Sequence, residues 1–399
     1  MSLIVKQHAS ITDFEQAVWD SLANDAGPFL SYHFLEALEL SGSINNSIVN
    51  DTGWQPNYLA VYDTTSTLVA AVPGYIKTHS YGEYVFDHAW ANAYAQHGLD
   101  YYPKWIGAIP FTPVTGKRIL AKQDKLASCL SAIDTHLKNR NDVSSYHWLF
   151  TTQEQQKSLL TLSGLPRYSV QFQWQNRKFT SFEHYLSTFK SRKRKTINKE
   201  RLKAQRGLKI QRLTGDAITR EIQKEFYLCY QQTYLKRSGH AGYLTESFFE
   251  RIFTQMKEQI LLVVASDQSG FKGSALFFYD HTGLFGRYWG SLDDIDGLHF
   301  ECCYYQGIEF AIENSLPIFN PGTQGEHKLL RGFEPWVCAS CHVLSDQRFH
   351  SAISDFLERE CVAIEHYYQS AINTLPFNSD MLADIANQNR LINTHKIKW

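Results

Sequence analysis

The sequence predicts an α/β (α+β) protein built from two tandem copies of one unit. Three observations point there. The chain has 399 residues, more than one ordinary core accommodates. Strand-like and helix-like periodicities alternate through both halves. A weak internal repeat also links the halves: Gly82–Tyr84 (GEY) answers Gly286–Tyr288 (GRY), and Gly98–Tyr102 answers Gly297–Phe300 together with Tyr304 and Tyr305. The period is far longer than that of a solenoid. The expected division is a unit over residues 1–165, a second over 166–375, and a polar tail over 376–399.

Residues 11–23 and 31–41 carry helical spacing and are split by Gly27 and Pro28. Asn57–Tyr62 and Leu68–Lys77 read as strands around a turn at Asp63–Thr67. Gly82–Asp87 reads as a third, aromatic strand, and Asp100–Ile109 as opening in a helix. Asp124–Lys138 is an amphipathic helix, and Tyr146–Thr151 a strand. In the second half, Leu208–Leu213, Leu261–Ser266, Gly273–Tyr279, Gly283–Gly290, Leu316–Asn320 and Trp336–Leu344 read as strands. Leu298–Asn314 and Phe349–Asn373 read as helices.

Hydrophobic residues make up 43% of the chain, enough for ordinary cores, and the net charge is −1. Attraction to polyanions must therefore be local. Nine of the seventeen residues from Lys190 to Arg206 are Lys or Arg, and Gly207 follows as a helix stop. This run is either a solvated helix face or a site for phosphate-bearing material such as tRNA, with Arg192, Lys193, Arg194 and Lys195 as its centre. It lacks interleaved aromatics, which argues against sequence-specific reading of single strands.

The seven cysteines are odd in number and irregular in spacing, which predicts reduced thiols in a cytoplasmic protein. No N-terminal apolar run resembles a signal peptide, and no run approaches the length of a membrane span. Cys338, Cys341 and His342 match the C-x-x-C-H pattern of covalent haem attachment. The single copy, the strand context and the missing export signal speak against haem. No second Cys/His pair at ligand spacing supports zinc, so no metal is expected.

Chemistry concentrates in residues 287–333. On a helix over Leu298–Asn314, Glu301 shares an apolar face with Tyr304, Tyr305, Ile308, Ala311 and Ile312. A carboxylate there is either a general acid or base, or a complement to the helix dipole. His299 lies two positions away and cannot face the same ligand. The following loop, Pro321–Arg331, gathers Gln324, Glu326, His327, Lys328 and Arg331 beside two glycines. Lys328 and Arg331 could share an anion, while Gln324 or the amide groups near Gly325 could stabilise an oxyanion.

Several segments resemble the FemAB-like branch of the GNAT (Gcn5-related N-acetyltransferase) superfamily, in particular the bacterial peptidoglycan biosynthesis/recognition proteins. In the first half they are Gly53–Pro56 (GWQP), His79–Asp87 (HSYGEYVFD), Tyr101–Lys104 (YYPK) and Pro110–Gly116 (PFTPVTG). In the second half they are Ser191–Lys195 (SRKRK), Tyr243–Thr245 (YLT), Arg287–Gly290 (RYWG), His299–Glu301 (HFE), Tyr304–Glu309 (YYQGIE) and Gln324–Lys328 (QGEHK). The resemblance implies two tandem GNAT-like units, each a mixed, mostly antiparallel sheet flanked by helices. It also implies acyl transfer to an amine, with acyl-CoA or aminoacyl-tRNA as co-substrate, no permanently bound cofactor, and a small molecule or peptidoglycan precursor as acceptor.

The catalytic candidates are then Glu301, His299, Tyr305 and Gln324. The substrate-binding candidates are Asp87, Tyr101, Tyr102, Lys104, Arg287, Tyr288, Trp289, Gly325, Glu326, His327, Lys328 and Arg331. One departure stands out: Gly290–Gly297 (GSLDDIDG) occupies the place of a pyrophosphate-binding loop but carries three aspartates, which repel a pyrophosphate. A non-catalytic module that binds cell-wall precursor or RNA is the alternative function.

Overall fold

The computed structural model describes residues 3–44, 51–323 and 325–393. They form two compact units. The first comprises the residues up to Ser169 with Tyr243–Ile252 and Cys338–Cys361; the second comprises Val170–Gly242, Phe253–Val337 and the residues from Val362. The expected boundary at 165/166 falls near Ser169, whereas residues 243–252 and 338–361 cluster with the first unit.

The first unit begins with β1 (Ile4–His8), α1 (Gln16–Leu22) and α2 (Tyr32–Leu40). There follow β2 (Trp54–Pro56), β3 (Tyr58–Tyr62), β4 (Leu68–Val72), β5 (Gly74–Lys77), α3 (His88–Gln96) and β6 (Lys104–Gly107). It continues through β7 (Leu120–Ala121), α4 (Leu126–Lys138), β8 (Ser145–Thr151) and α5 (Gln153–Leu160). Strands β1, β3, β4 and β7 form an antiparallel sheet in that order. The apolar face of α4 (Cys129, Leu130, Ile133, Leu137) packs with Leu59, Val61, Ala70 and Val72 of that sheet. Each such buried aliphatic side chain contributes roughly 1.5–3 kcal/mol. Strands β2, β5, β6 and β8 pair side by side in that order, and of these three pairings only β6–β8 is parallel.

Three expectations fail here for identifiable reasons. The single strand Leu68–Lys77 is two strands in two sheets, because Pro73 has no N–H for a ladder and the chain changes sheet at it. Gly82–Asp87 is a loop, with Gly82 (φ 81°) and Tyr84 (φ 61°) in the left-handed region. Its match to the strand residues Gly286–Tyr288 is therefore not structural. Asp100–Ile109 contains β6 and no helix, since Pro103 disfavours helical backbone at Tyr102.

The second unit takes β9 (Leu165–Gln175) from Val170 on, then α6 (Phe182–Ser187), α7 (Ser191–Ala204), β10 (Lys209–Thr214) and α8 (Arg220–Ser238); of α9 (Glu246–Gln255), residues 246–252 belong to the first unit. Then come β11 (Ile260–Asp267), β12 (Gly270–Asp280), β13 (Gly283–Ser291), α10 (Leu298–Phe300), a π-helical turn (Glu301–Tyr305), α11 (Gln306–Glu313) and β14 (Ile318–Asn320). The chain ends with β15 (Glu334–Leu344), α12 (Gln347–Thr374) and α13 (Ser379–Asn393), of which β15 from Cys338 on and α12 up to Cys361 belong to the first unit. The sheet order is β10-β11-β12-β13-β14-β9, antiparallel except between β13 and β14. The C-terminal half of β15 pairs instead with β8.

The expected polar tail is corrected by α13, which buries Met381 and Ile385, one helical turn apart, in the core of this unit. Among the described residues, no helix is long and apolar enough to cross a membrane.

Candidate active site

The site lies beside β13. This strand pairs with β14 only at Leu284↔Phe319 and Phe285↔Asn320, then runs on to Ser291 while the chain leaves β14 at Pro321. Arg287, Tyr288 and Trp289 lie in that remaining length. Arg287 is an extra residue in the β12–β13 ladder, which pairs Leu276 with Tyr288 and Phe277 with Gly286. Bulges of this kind re-aim side chains and occur beside active sites. Gly290 brings the backbone of α8 close: a Cβ there would stand 2.1 Å from the Cys229 carbonyl oxygen.

The predicted continuous helix is interrupted by the π-helical turn, a feature common at functional sites. Glu301, within it, is fully buried. Its carboxylate accepts from Arg201 Nη2 (2.8 Å) and Nε (3.0 Å), Gln205 Nε2 (2.9 Å) and Gln306 Nε2 (2.8 Å). Arg201 also donates to Glu309 at 2.6 Å and covers the Phe182 ring at 4.4 Å. Glu301 therefore sits in an internal ion pair. Tyr305 donates to Glu200 Oε1 at 2.7 Å. The neighbouring Tyr304 hydroxyl lies 2.9 Å from His327 Nε2. Burial, then the cations Lys328 and Arg331, hold His327 below the usual histidine range, so it is neutral at neutral pH. Burial raises Tyr304, so the hydroxyl keeps its proton, and which of the two groups donates depends on the imidazole tautomer.

The segment after β14 folds into a short 3-10 helix, Glu326–Arg331. Gly325 permits it twice over: its φ is 110°, and a Cβ there would lie 2.2 Å from His327 Cε1. Glu326 accepts from the Tyr367 hydroxyl at 2.9 Å. Lys328 is buried, and its ammonium donates to the Gly322 carbonyl at 2.6 Å. Arg331 pairs with Glu200 through Nη2 at 2.9 and 2.8 Å and covers the Phe300 ring at 3.4 Å. The two cations expected to share an anion thus point to different partners. His299 is pushed down to about 3, by burial first and then by His327, Arg237, Lys328 and Arg331. Its ring lies 5.6 Å from Trp289 and 5.3 Å from Tyr304. Gln324 lies outside the described residues.

Burial pushes Lys328 down to about 7. Below that pH both folded and unfolded chains carry the charge. Between about 7 and the unfolded value the folded lysine is neutral while the unfolded one still binds a proton, so stability rises with pH. Lys328→Met is expected to remove this rise without loss of stability at pH 7. Urea midpoints across pH 6–10 for both proteins check it; an unchanged rise in the variant would contradict it.

The remaining predicted residues lie elsewhere. Asp87, Tyr101, Tyr102 and Lys104 form a buried network in the first unit. Lys104 Nζ donates to Ser80 (2.8 Å), Glu83 (2.9 Å) and Asp87 (2.5 Å); Tyr101 donates to Asp87 (2.6 Å), and Tyr102 lies 2.8 Å from Ser80. Arg192, Lys193, Arg194 and Lys195 are exposed or half-buried on α7, with no ion pair to a described residue. Of the three aspartates before α10, Asp293 pairs with Lys272 and Asp296 with Lys203.

Cys338 and Cys341 are buried on β15 among different neighbours. The Thr115 hydroxyl lies 3.4 Å from Cys338 Sγ, while Cys341 Sγ fills the space a side chain at Gly164 would need. Among the described residues, no group of three His, Cys, Asp or Glu is arranged to hold a metal.

Sequence reasoning missed Glu200, Arg201 and Gln205. One signal was available: Glu200 is the lone carboxylate in the cationic run.

A family model described as FemAB-like, peptidoglycan biosynthesis/recognition, matches residues 10–379. Among solved structures, FemX is similar over 89% of this chain and 100% of its own, with 11% identity and a TM-score of 0.51. The C-terminal domain of a candidate lysylphosphatidylglycerol synthetase from Agrobacterium fabrum is similar over 87% of this chain and 96% of its own, with 8% identity and a TM-score of 0.51. At these identities the likeness is one of fold, and it agrees with the two mixed, mostly antiparallel GNAT-like units expected. No curated protein matches the chain.

Proposed function

The chain belongs to the FemAB-like family of peptidoglycan biosynthesis/recognition proteins, and from that premise we propose that it transfers an acyl or aminoacyl group to an amine of a peptidoglycan precursor. The observation that carries this reading is the Tyr304–His327 hydrogen bond, 2.9 Å long, in the unit that also holds β13, which runs on past its pairing with β14. Amide formation needs an amine stripped of its proton, a stabilised oxyanion and reactants held together. Neutral His327 takes the proton of the acceptor ammonium, directly or through the Tyr304 hydroxyl. The freed nitrogen attacks the acyl carbon. The C–N bond forms as the bond from that carbon to the leaving oxygen or sulfur breaks, and the leaving group departs with its electron pair and takes up the second proton that the nitrogen sheds.

Glu301 and Arg331, both engaged inside the protein, hold the site rather than touch the substrate. That engagement is also what favours the second reading, a recognition module without turnover. A thermal-shift screen of acyl-CoAs, aminoacyl-tRNA and peptidoglycan precursors tests the proposal. A ligand at about a hundred times its Kd adds about 2.7 kcal/mol to native stability. Stabilisation by precursor and by one donor class is expected; stabilisation by neither removes the reading. A precursor that binds but yields no amide favours the recognition module.

The four cations on α7 discriminate the donors. If they hold tRNA through about six phosphates, affinity falls about a thousandfold between 50 and 200 mM salt. Changing Arg192, Lys193, Arg194 and Lys195 to Gln is expected to flatten that slope. Equal, weak tRNA binding by both proteins would remove the patch from the donor site.

A further inference from the structure

We infer that Glu200 is a positioning residue that sets the Tyr304–His327 pair. The inference rests on the acyl-transfer reading for its catalytic consequence, but its geometry stands alone.

The two members of the pair come from different segments, the π-helical turn and the 3-10 helix after β14. Glu200 binds both segments. Its Oε1 accepts from the Tyr305 hydroxyl at 2.7 Å, fixing the residue next to Tyr304. Its two oxygens accept from Arg331 Nη2 at 2.9 and 2.8 Å, and Oε1 accepts from Nε at 3.2 Å. Arg331 in turn donates through Nη1 to the His327 carbonyl at 2.9 Å. Its guanidinium lies against Phe300, whose ring is 5.4 Å from that of His327. One carboxylate on α7 therefore spans both sides of the hydrogen bond without touching either member. The next residue, Arg201, anchors Glu301 at the start of the same π-helical turn.

Glu200 also neutralises Arg331, one of the cations that disfavour protonation of His327. Losing Glu200 must therefore leave His327 facing a stronger positive field, and its imidazole must titrate at lower pH. A merely structural residue would lower stability without moving that titration.

The experiment compares wild type, Glu200→Gln and Glu200→Ala, with His327→Gln to identify the His327 resonance. The readout independent of turnover is the NMR titration of the His327 imidazole. A shift to lower pH is expected in both Glu200 variants, largest in the alanine. The kinetic readout, using whichever donor and precursor the wild type accepts, is a fall in kcat of about ten- to a hundredfold at little change in KM. Glutamine still accepts from Tyr305 and is expected to lose less than alanine. An unmoved titration in two folded variants would overturn the inference. So would wild-type kcat in both variants while His327→Gln is inactive. Full activity in His327→Gln would instead overturn the underlying acyl-transfer reading, and the titration would still decide the role of Glu200.

Discussion

His327→Ala is expected to lower kcat for amide formation by about a hundredfold or more, with little change in acceptor binding. General acid–base catalysis contributes about 10²–10⁴ in rate. Burial and the nearby Lys328 and Arg331 hold His327 neutral at neutral pH, the form a base requires. The rate is therefore expected to be flat near pH 7 and to fall only on the acid side, below the ordinary histidine range. Tyr304→Phe removes the relay but leaves the imidazole, so its loss should be smaller. Steady-state kinetics across pH on the three proteins checks this. A His327→Ala variant that keeps wild-type kcat would assign the base elsewhere.

The second large effect is on stability. Arg201→Ala is expected to destabilise the second unit by about 3–5 kcal/mol, because it leaves the Glu301 carboxylate buried without its cation. Replacing both partners by Met should recover much of that loss, since the pair pays a desolvation cost that apolar side chains do not. Denaturant midpoints at constant m-value distinguish these outcomes. A loss below about 1 kcal/mol in Arg201→Ala would mean that the carboxylate finds water or another donor.

These two cases also show what the sequence reveals. The burial of Glu301 beside Tyr304 and Tyr305 follows from three- and four-residue spacing, which is local information. Its partner Arg201 lies 100 positions away in a run that reads as solvated cations. No local rule joins them. Regular elements are legible where one periodicity holds throughout, as in Leu126–Lys138 and β11 to β13.

Legibility ends where tertiary contacts override local pattern. Residues 82–87 alternate like a strand, yet Glu83 and Asp87 turn toward Lys104 and the loop closes around that ammonium. Residues 379–393 look polar, yet Met381 and Ile385 are buried in the core of the second unit and Leu382 packs against it. The π-helical turn could not be read, since a widened turn leaves the same residue types in the same order. The polar loop was legible as a cluster, whereas the separate engagements of Lys328 with Gly322 and of Arg331 with Glu200 depend on how the chain folds back.

The most direct measurement is product mass. Purified protein is incubated with aminoacyl-tRNA or acyl-CoA and with a nucleotide-linked muropeptide that bears a free amine, and the acceptor is weighed by mass spectrometry. The account predicts an acceptor heavier by one acyl or aminoacyl residue, formed with one donor class and lost in His327→Ala. An acceptor of unchanged mass with every donor, from a protein that binds it measurably, would contradict acyl transfer and leave recognition as the function.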